Sequence, residues 1–244
     1  LKYYNMLFPY DAIFGSYHKN IPNLYYQFFL NEILVKTGLS IKNKKVLEVS
    51  KKSLHTLKMV DTLDKLTFIN FNFRELDLLE QKNRMNPLNE FLDSILQENN
   101  HFEIVKINND IYKLDEIDIE PVDIMIFKND FYRVENNYFL HGINFFTLLR
   151  FITTKLNKEG HFIIEIATLG SVIVYEFFYI LQQFFKKVES ITMDMIDDLG
   201  QVGDYIVAQT YKPQPSIIGT IQKEFEGLKK MIPDGLRFNP SHPS

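Results

Sequence analysis

The chain has 244 residues, 45% of them hydrophobic and 24% charged, with a formal net charge of -4. That size and balance suit one globular domain with a sizeable core, and a net negative charge leaves any contact with a polyanion to a local basic patch. With no cysteine in the chain, disulfides, thiolate nucleophiles, Cys-ligated zinc and iron–sulfur clusters are excluded.

Apolar runs of strand length alternate with longer helical patterns, and no repeat of fixed period occurs. Residues 1–20 form an N-terminal arm crowded with Tyr3, Tyr4, Phe8, Tyr10, Phe14 and Tyr17. These rings either pack on the body of the protein or stack a base. From Ile21 to Val35 the apolar residues Leu24, Tyr25, Phe28, Phe29, Ile33 and Leu34 recur at helical spacing, and Gly38 follows as the residue that ends the helix.

Strands are predicted at Lys45–Val49 and Leu66–Phe71, then a helix around Pro87–Gln97 with Leu88, Phe91, Leu92, Ile95 and Leu96 on one face. A third strand is Phe102–Ile107. Val122–Phe127 is a continuous apolar run of the kind buried on both faces of a parallel sheet. Tyr138–Leu156 reads as a helix, Glu159-Gly160 as a turn, and His161–Ile166 as a fifth strand. Val172–Phe185 is apolar nearly all round, which predicts a well-buried helix.

Two closing strands, Lys187–Met193 and Tyr205–Thr210, flank a polar loop containing Asp194, Asp197, Asp198, Gly200 and Gly203. The main domain is thus 21–212. Residues 213–244 supply a linker, Pro213-Gln214-Pro215, a helix over Ile217–Met231 with Ser216 as its N-cap, and an irregular tail from Pro233. No apolar run reaches the roughly 20 residues that span a bilayer.

The motif inventory is mostly negative. The six histidines lack metal-ligand spacing. Neither a Gly-x-x-x-x-Gly-Lys loop nor a Gly-x-Ser-x-Gly elbow is present, which argues against nucleotide hydrolysis and α/β-hydrolase chemistry. Asp194, Asp197 and Asp198 form either a solvated acidic loop or a hard-cation site; the solvated loop is the favoured reading of such a cluster, and no metal is expected. Lysines cluster at Lys42, Lys44, Lys45, Lys51 and Lys52, and again at Lys186, Lys187, Lys229 and Lys230. Such clusters either serve solubility or guide a phosphate chain, and Lys51 and Lys52 are the candidates for RNA.

The segments KKVLEVS, VDIMIF, KEGHFIIEI, FFKKVESITM and GDYIVAQTY, in that order, resemble the FtsJ-like branch of the S-adenosylmethionine-dependent methyltransferases, which includes 2′-O-ribose methyltransferases of ribosomal RNA and viral mRNA caps. The resemblance covers roughly residues 20 to 212. It implies an α/β fold of the class I methyltransferase type: a Rossmann-like three-layer sandwich on a seven-stranded, mostly parallel sheet with an antiparallel closing strand. It also implies a cytoplasmic location, in a host cell or virion if the source is viral.

The resemblance lies in strands, whereas the loops that carry the chemistry depart from it. A glycine turn after the first strand normally lets the backbone approach the cofactor; here the turn is Ser50-Lys51-Lys52-Ser53. The resemblance places Glu48, Ser50, Asn70, Asn72 and Asp110 at the cofactor, although an Asp after a strand is also an ordinary turn residue. Of the Lys-Asp-Lys-Glu set typical of the branch, the matching positions hold Gln27, Lys128, Glu165 and Gly203, with Asp130 and Asp204 nearby. Lys128, Asp130 and Glu165 are therefore the catalytic candidates, with Lys128 and Glu165 forming either a swapped pair or two separate charges at strand ends. The expected function is a degenerate methyltransferase-fold protein that binds RNA or a cap, or serves as a scaffold or subunit for a protein partner or a second copy of itself. The alternative is an active RNA 2′-O-methyltransferase using S-adenosylmethionine; without activity no cofactor is expected.

Overall fold

The computed structural model describes residues 24–50, 56, 62–72, 102–108, 117–127, 138–166, 172–196 and 202–231. In chain order the elements are α1 (Leu24–Thr37), β1 (Lys45–Ser50), β2 (Lys65–Asn72), β3 (Phe102–Asn108), β4 (Val122–Phe127), α2 (Tyr138–Lys155), β5 (Leu156–Ile166), α3 (Val172–Phe184), β6 (Phe185–Ile196), β7 (Val202–Tyr211) and α4 (Pro215–Met231). The expected N-terminal arm, the helix around Pro87–Gln97 and the tail from Pro233 lie outside the described residues.

The strands form one sheet in the order β3-β2-β1-β4-β5-β7-β6. Neighbours from β3 to β5 pair in parallel, while β7 runs antiparallel to both β5 and β6. This is the seven-stranded arrangement expected from the sequence. Because side chains alternate across a strand, Val46, Ile124, Ile126, Ile163, Tyr205 and Val207 bury on the face covered by α1. Leu47, Val49, Met125, Phe127, Phe162, Ile164, Ile206 and Ala208 bury on the face covered by α2 and α3. Each such aliphatic or aromatic side chain contributes about 1.5–3 kcal/mol, against 0–1 kcal/mol for an exposed ion pair, so the two apolar layers fix the fold.

Helix α1 ends as its sequence dictates. Thr37 Oγ1 donates back to the Ile33 carbonyl at 2.6 Å, and Gly38 takes the left-handed φ of 70° that a terminating residue needs. Phe29 and Tyr205 meet edge to face at 6.3 Å. At the far edge of the sheet Lys36 bridges Glu32 and Asp194 and donates to the Thr192 carbonyl, while the Asp194 N–H donates to Glu32. The bonded ammonium of Lys36 holds the Asp194 carboxyl below its usual range.

The structure corrects four local expectations. Strand β5 begins at Leu156, before the anticipated turn: Val122 pairs with Leu156 and Ile124 with His161, so Asn157, Lys158, Glu159 and Gly160 bulge opposite Asp123 alone. The Asp123 carboxylate secures that bulge by accepting from Asn157 Nδ2 at 2.9 Å and from the Lys45 N–H at 3.0 Å. Strand β6 starts at Phe185, which the apolar pattern places in the preceding helix. Ser216 is not the N-cap of α4: that helix opens with Pro215 at its first turn, a position where its missing N–H costs nothing, and the Gln214 carbonyl accepts from Ile217 and Ile218. Helix α3 is not buried all round, since Val172, Tyr175 and Tyr179 are 68%, 62% and 66% exposed.

Helix α4 packs on α2, adding Ile221 to the larger apolar cluster and pairing Glu226 with Arg150. Tyr211 packs against Phe184 and Phe185. Its hydroxyl finds no hydrogen-bond partner among the described residues, and burial pushes the phenol up to about 12. No helix among the described residues is long and apolar enough to cross a membrane.

The bulge admits only glycine at residue 160. A Cβ there would stand 2.8 Å from the backbone oxygens of Asn157 and Asp123 and from Leu156 Cδ1. Gly160→Ala is expected to lower unfolding stability by about 2 kcal/mol, read as a shifted denaturant midpoint at unchanged m-value.

Candidate functional site

In a sheet of this order the chain turns one way from β1 to β2 and the other way to β4. At such a switch point open α/β folds place their ligands beyond the carboxyl ends of the strands, here β1 and β4. The register brings the candidate residues to that edge. Ser50, the last residue of β1, stands opposite Asn70. Asn70 and Asn72 stand opposite Lys106 and Asn108 at the end of β3. Glu48 lies one pleat back, opposite Phe68 and Ile126.

Among the described residues Glu48 is the charged group most deeply set into this edge. It is fully buried, and a buried carboxylate is costly unless donors surround it. Two donors come from one residue: the Thr56 N–H at 3.1 Å and the Thr56 hydroxyl at 2.6 Å, both to Glu48 Oε2. Ser50 and Thr56 are equally buried. Glu48, two residues before the end of β1, is thus tied to Thr56.

Thr56 was not singled out from the sequence, although a signal was present. A buried strand acid requires a nearby donor, and Ser50, Ser53 and Thr56 are the hydroxyl residues that follow it closely. The absence of glycine extends well beyond the turn, because none occurs between Gly38 and Gly142. The whole span from β1 to β4 is built without one.

On β5, Glu165 is half-buried one residue before the strand ends, opposite Tyr205. Phe127 pairs with Ile164, so the residues preceding Lys128 and Glu165 are neighbours across the sheet. Lys128 and Asp130 themselves lie outside the described residues, as do Lys51, Lys52 and Asp110. Gln27 falls within α1, away from β5 in sequence. Gly203 belongs to β7, and the Asp204 carboxylate beside it accepts from the Thr192 hydroxyl at 2.7 Å, which engages it within the closing hairpin. No three His, Cys, Asp or Glu side chains group as metal ligands among the described residues.

These residues fit S-adenosylmethionine poorly. A glycine turn brings bare backbone to the ligand, whereas here Ser50 to Ser53 carry four side chains, the first wholly buried, and the strand-end carboxylate already holds two hydrogen bonds from its own chain.

No family model matches the chain, and no curated protein matches it. Among solved structures it is similar to the N-methyltransferase NodS from Bradyrhizobium japonicum WM9, with a TM-score of 0.52 at 15% identity over 80% of this chain and 100% of that one. The same enzyme in complex with S-adenosyl-l-homocysteine gives 0.51 at 15% identity over 82% and 98%. A methyltransferase from Pyrococcus furiosus gives 0.54 at 12% identity over 86% and 98%. At such identities the likeness is one of fold: the chain has the class I methyltransferase architecture.

The Glu48–Thr56 contact is testable by itself. Thr56→Val removes the shorter of the two hydrogen bonds to a buried acid and is expected to lower stability by about 1–3 kcal/mol, while Thr56→Ser keeps the hydroxyl and most of the stability. Equal denaturant midpoints for the two variants would show that the hydroxyl does not support Glu48.

Proposed function

We propose that this chain is a methyltransferase-fold protein that no longer transfers methyl groups and instead binds RNA through the carboxyl edge of its sheet. One observation carries the loss of chemistry: the span that forms the cofactor turn in this fold has no glycine, and its strand-end acid Glu48 is engaged by Thr56. The catalytic positions support the same reading. A ribose hydroxyl needs a base of suitable pKa within hydrogen-bond reach, and Gln27 and Glu165 occupy the places where the FtsJ-like pattern has lysines. Glu165 can accept a hydrogen bond, but a carboxylate there is a weaker base toward a ribose hydroxyl than the neutral lysine of that pattern.

RNA is the proposed ligand because Lys51 and Lys52 directly follow β1 at the edge where the fold places polyanionic or nucleotide ligands. Asn70 and Asn72 at the end of β2 offer neutral amides suited to ribose hydroxyls and base edges. The protein's net charge of -4 makes such contact local. The competing reading, an active S-adenosylmethionine-dependent RNA 2′-O-methyltransferase, draws on the same gathering of Glu48, Ser50, Asn70 and Asn72, with Asp110 following β3.

Thermal denaturation with S-adenosylmethionine or S-adenosylhomocysteine separates the two. Saturation at a hundred times the dissociation constant adds about 2.7 kcal/mol of stability, so an active enzyme melts several degrees higher, whereas the proposed protein melts unchanged at millimolar ligand. A clear upward shift would overturn the loss of cofactor binding. For the RNA role, exchanging Lys51 and Lys52 for Glu is expected to weaken binding of a capped oligonucleotide about tenfold or more in fluorescence anisotropy and to flatten its salt dependence. Unchanged affinity would remove this patch from the proposal.

A further inference from the structure

We infer that β6 pairs with β6 of a second copy of the chain, joining two sheets edge to edge across a two-fold axis at Val188. This holds whatever the carboxyl edge binds. The sheet order leaves β6 at the margin, and among the described residues no strand pairs with its outer side. Where β6 passes α1, its outward backbone is already engaged: the Thr192 carbonyl accepts from Lys36 and the Asp194 N–H donates to Glu32. Backbone groups in a strand alternate in direction with period two. Val188 and Ser190 therefore turn their N–H and C=O groups outward as Thr192 does, beyond the reach of those two α1 contacts.

The sequence of that segment complements itself. In an antiparallel pair centred on Val188, Val188 faces its own copy, Lys186 faces Ser190, and Lys187 faces Glu189. The outward-turned residues become the hydrogen-bonded pairs, giving about six ladder hydrogen bonds. Lys187 and Glu189 then fall at non-hydrogen-bonded positions, where opposing side chains lie closest. Within one chain Lys187 Nζ and Glu189 Oε1 are 2.8 Å apart, so both charges already sit on the same face of β6. Pairing would give each of them an opposite charge from the other copy.

The exposed stripe on α3 lies at the same height. The chain turns directly from Phe184 of α3 into Phe185 of β6. Tyr179 is five residues back along the helix, roughly 8 Å at the α-helical rise, and Val188 is three residues forward, roughly 10 Å at the strand rise. Val188 packs against the cluster that holds Phe177, Leu181 and Phe184 of α3, so that helix covers this strand. A two-fold axis through Val188 sets the two α3 helices side by side and antiparallel. Val172, Tyr175 and Tyr179, whose exposure is otherwise unexplained, then gain apolar cover from the facing helix.

Sedimentation velocity on the full chain across a concentration series tests this directly. The wild-type protein is expected to dimerise, and a monomer at every concentration would overturn the inference. Lys187→Glu sets like charges opposite each other and should weaken dimerisation about tenfold or more; adding Glu189→Lys restores opposite charges and should restore the dimer. Circular dichroism and melting establish that both variants fold. A folded double variant that stays monomeric, or a single variant that dimerises like wild type, would rule out this edge as the interface.

Discussion

Burial of β1, β4 and β5 on both faces is the constraint on which the rest of the molecule depends. Each strand sends alternate side chains into two separate apolar layers, so neither layer tolerates a one-residue slip in register. That alignment is what sets Ser50 beside Asn70 and Phe127 beside Ile164. The candidate site is therefore a product of core packing, because its positions lie at the ends of strands whose offsets are decided several residues earlier.

The same constraint explains why most of the architecture was legible in the amino-acid sequence. Val122–Phe127 reads as an uninterrupted apolar run because both of its faces are covered, and its limits match the strand observed. The elements that misled did so for long-range reasons. The bulge before His161 depends on Asp123, which couples β4 to β5 and to the start of β1, and no local pattern announces such a tie. Helix α3 resembles a core helix in composition, yet which of its faces meets the sheet is set by β6 and β7. The N-terminus of α4 lies two residues before the expected one because Ser216 is a good cap in isolation, while Pro215 is the better first residue.

At the site, residue identities were readable but their engagements were not. Glu48 occupies a recognisable strand-end position, and nothing local distinguishes an acid that awaits a ligand from one satisfied by its own chain. In this structure Glu48 accepts two hydrogen bonds from Thr56. The architecture shared with NodS and the Pyrococcus furiosus methyltransferase persists because it rests on the apolar layers, which hold whether or not the turn after β1 keeps its glycines. The apolar layers that set the fold and the turns that line the carboxyl edge are separate parts of the chain.

Helix α1 forms early in the chain but finds its partners late: Phe29 rests on Tyr205, and the Glu32–Lys36 pair grips Thr192 and Asp194 more than 150 residues onward. During translation this helix therefore emerges from the ribosome long before the strands that receive it. Part of its apolar side is met early by Val46, Ile124 and Ile126, but Phe29 has to wait for Tyr205 until β7 has been made. Contacts spanning so much of the sequence slow folding, and they make completion of the carboxyl-terminal hairpin the event that commits the first helix to its place.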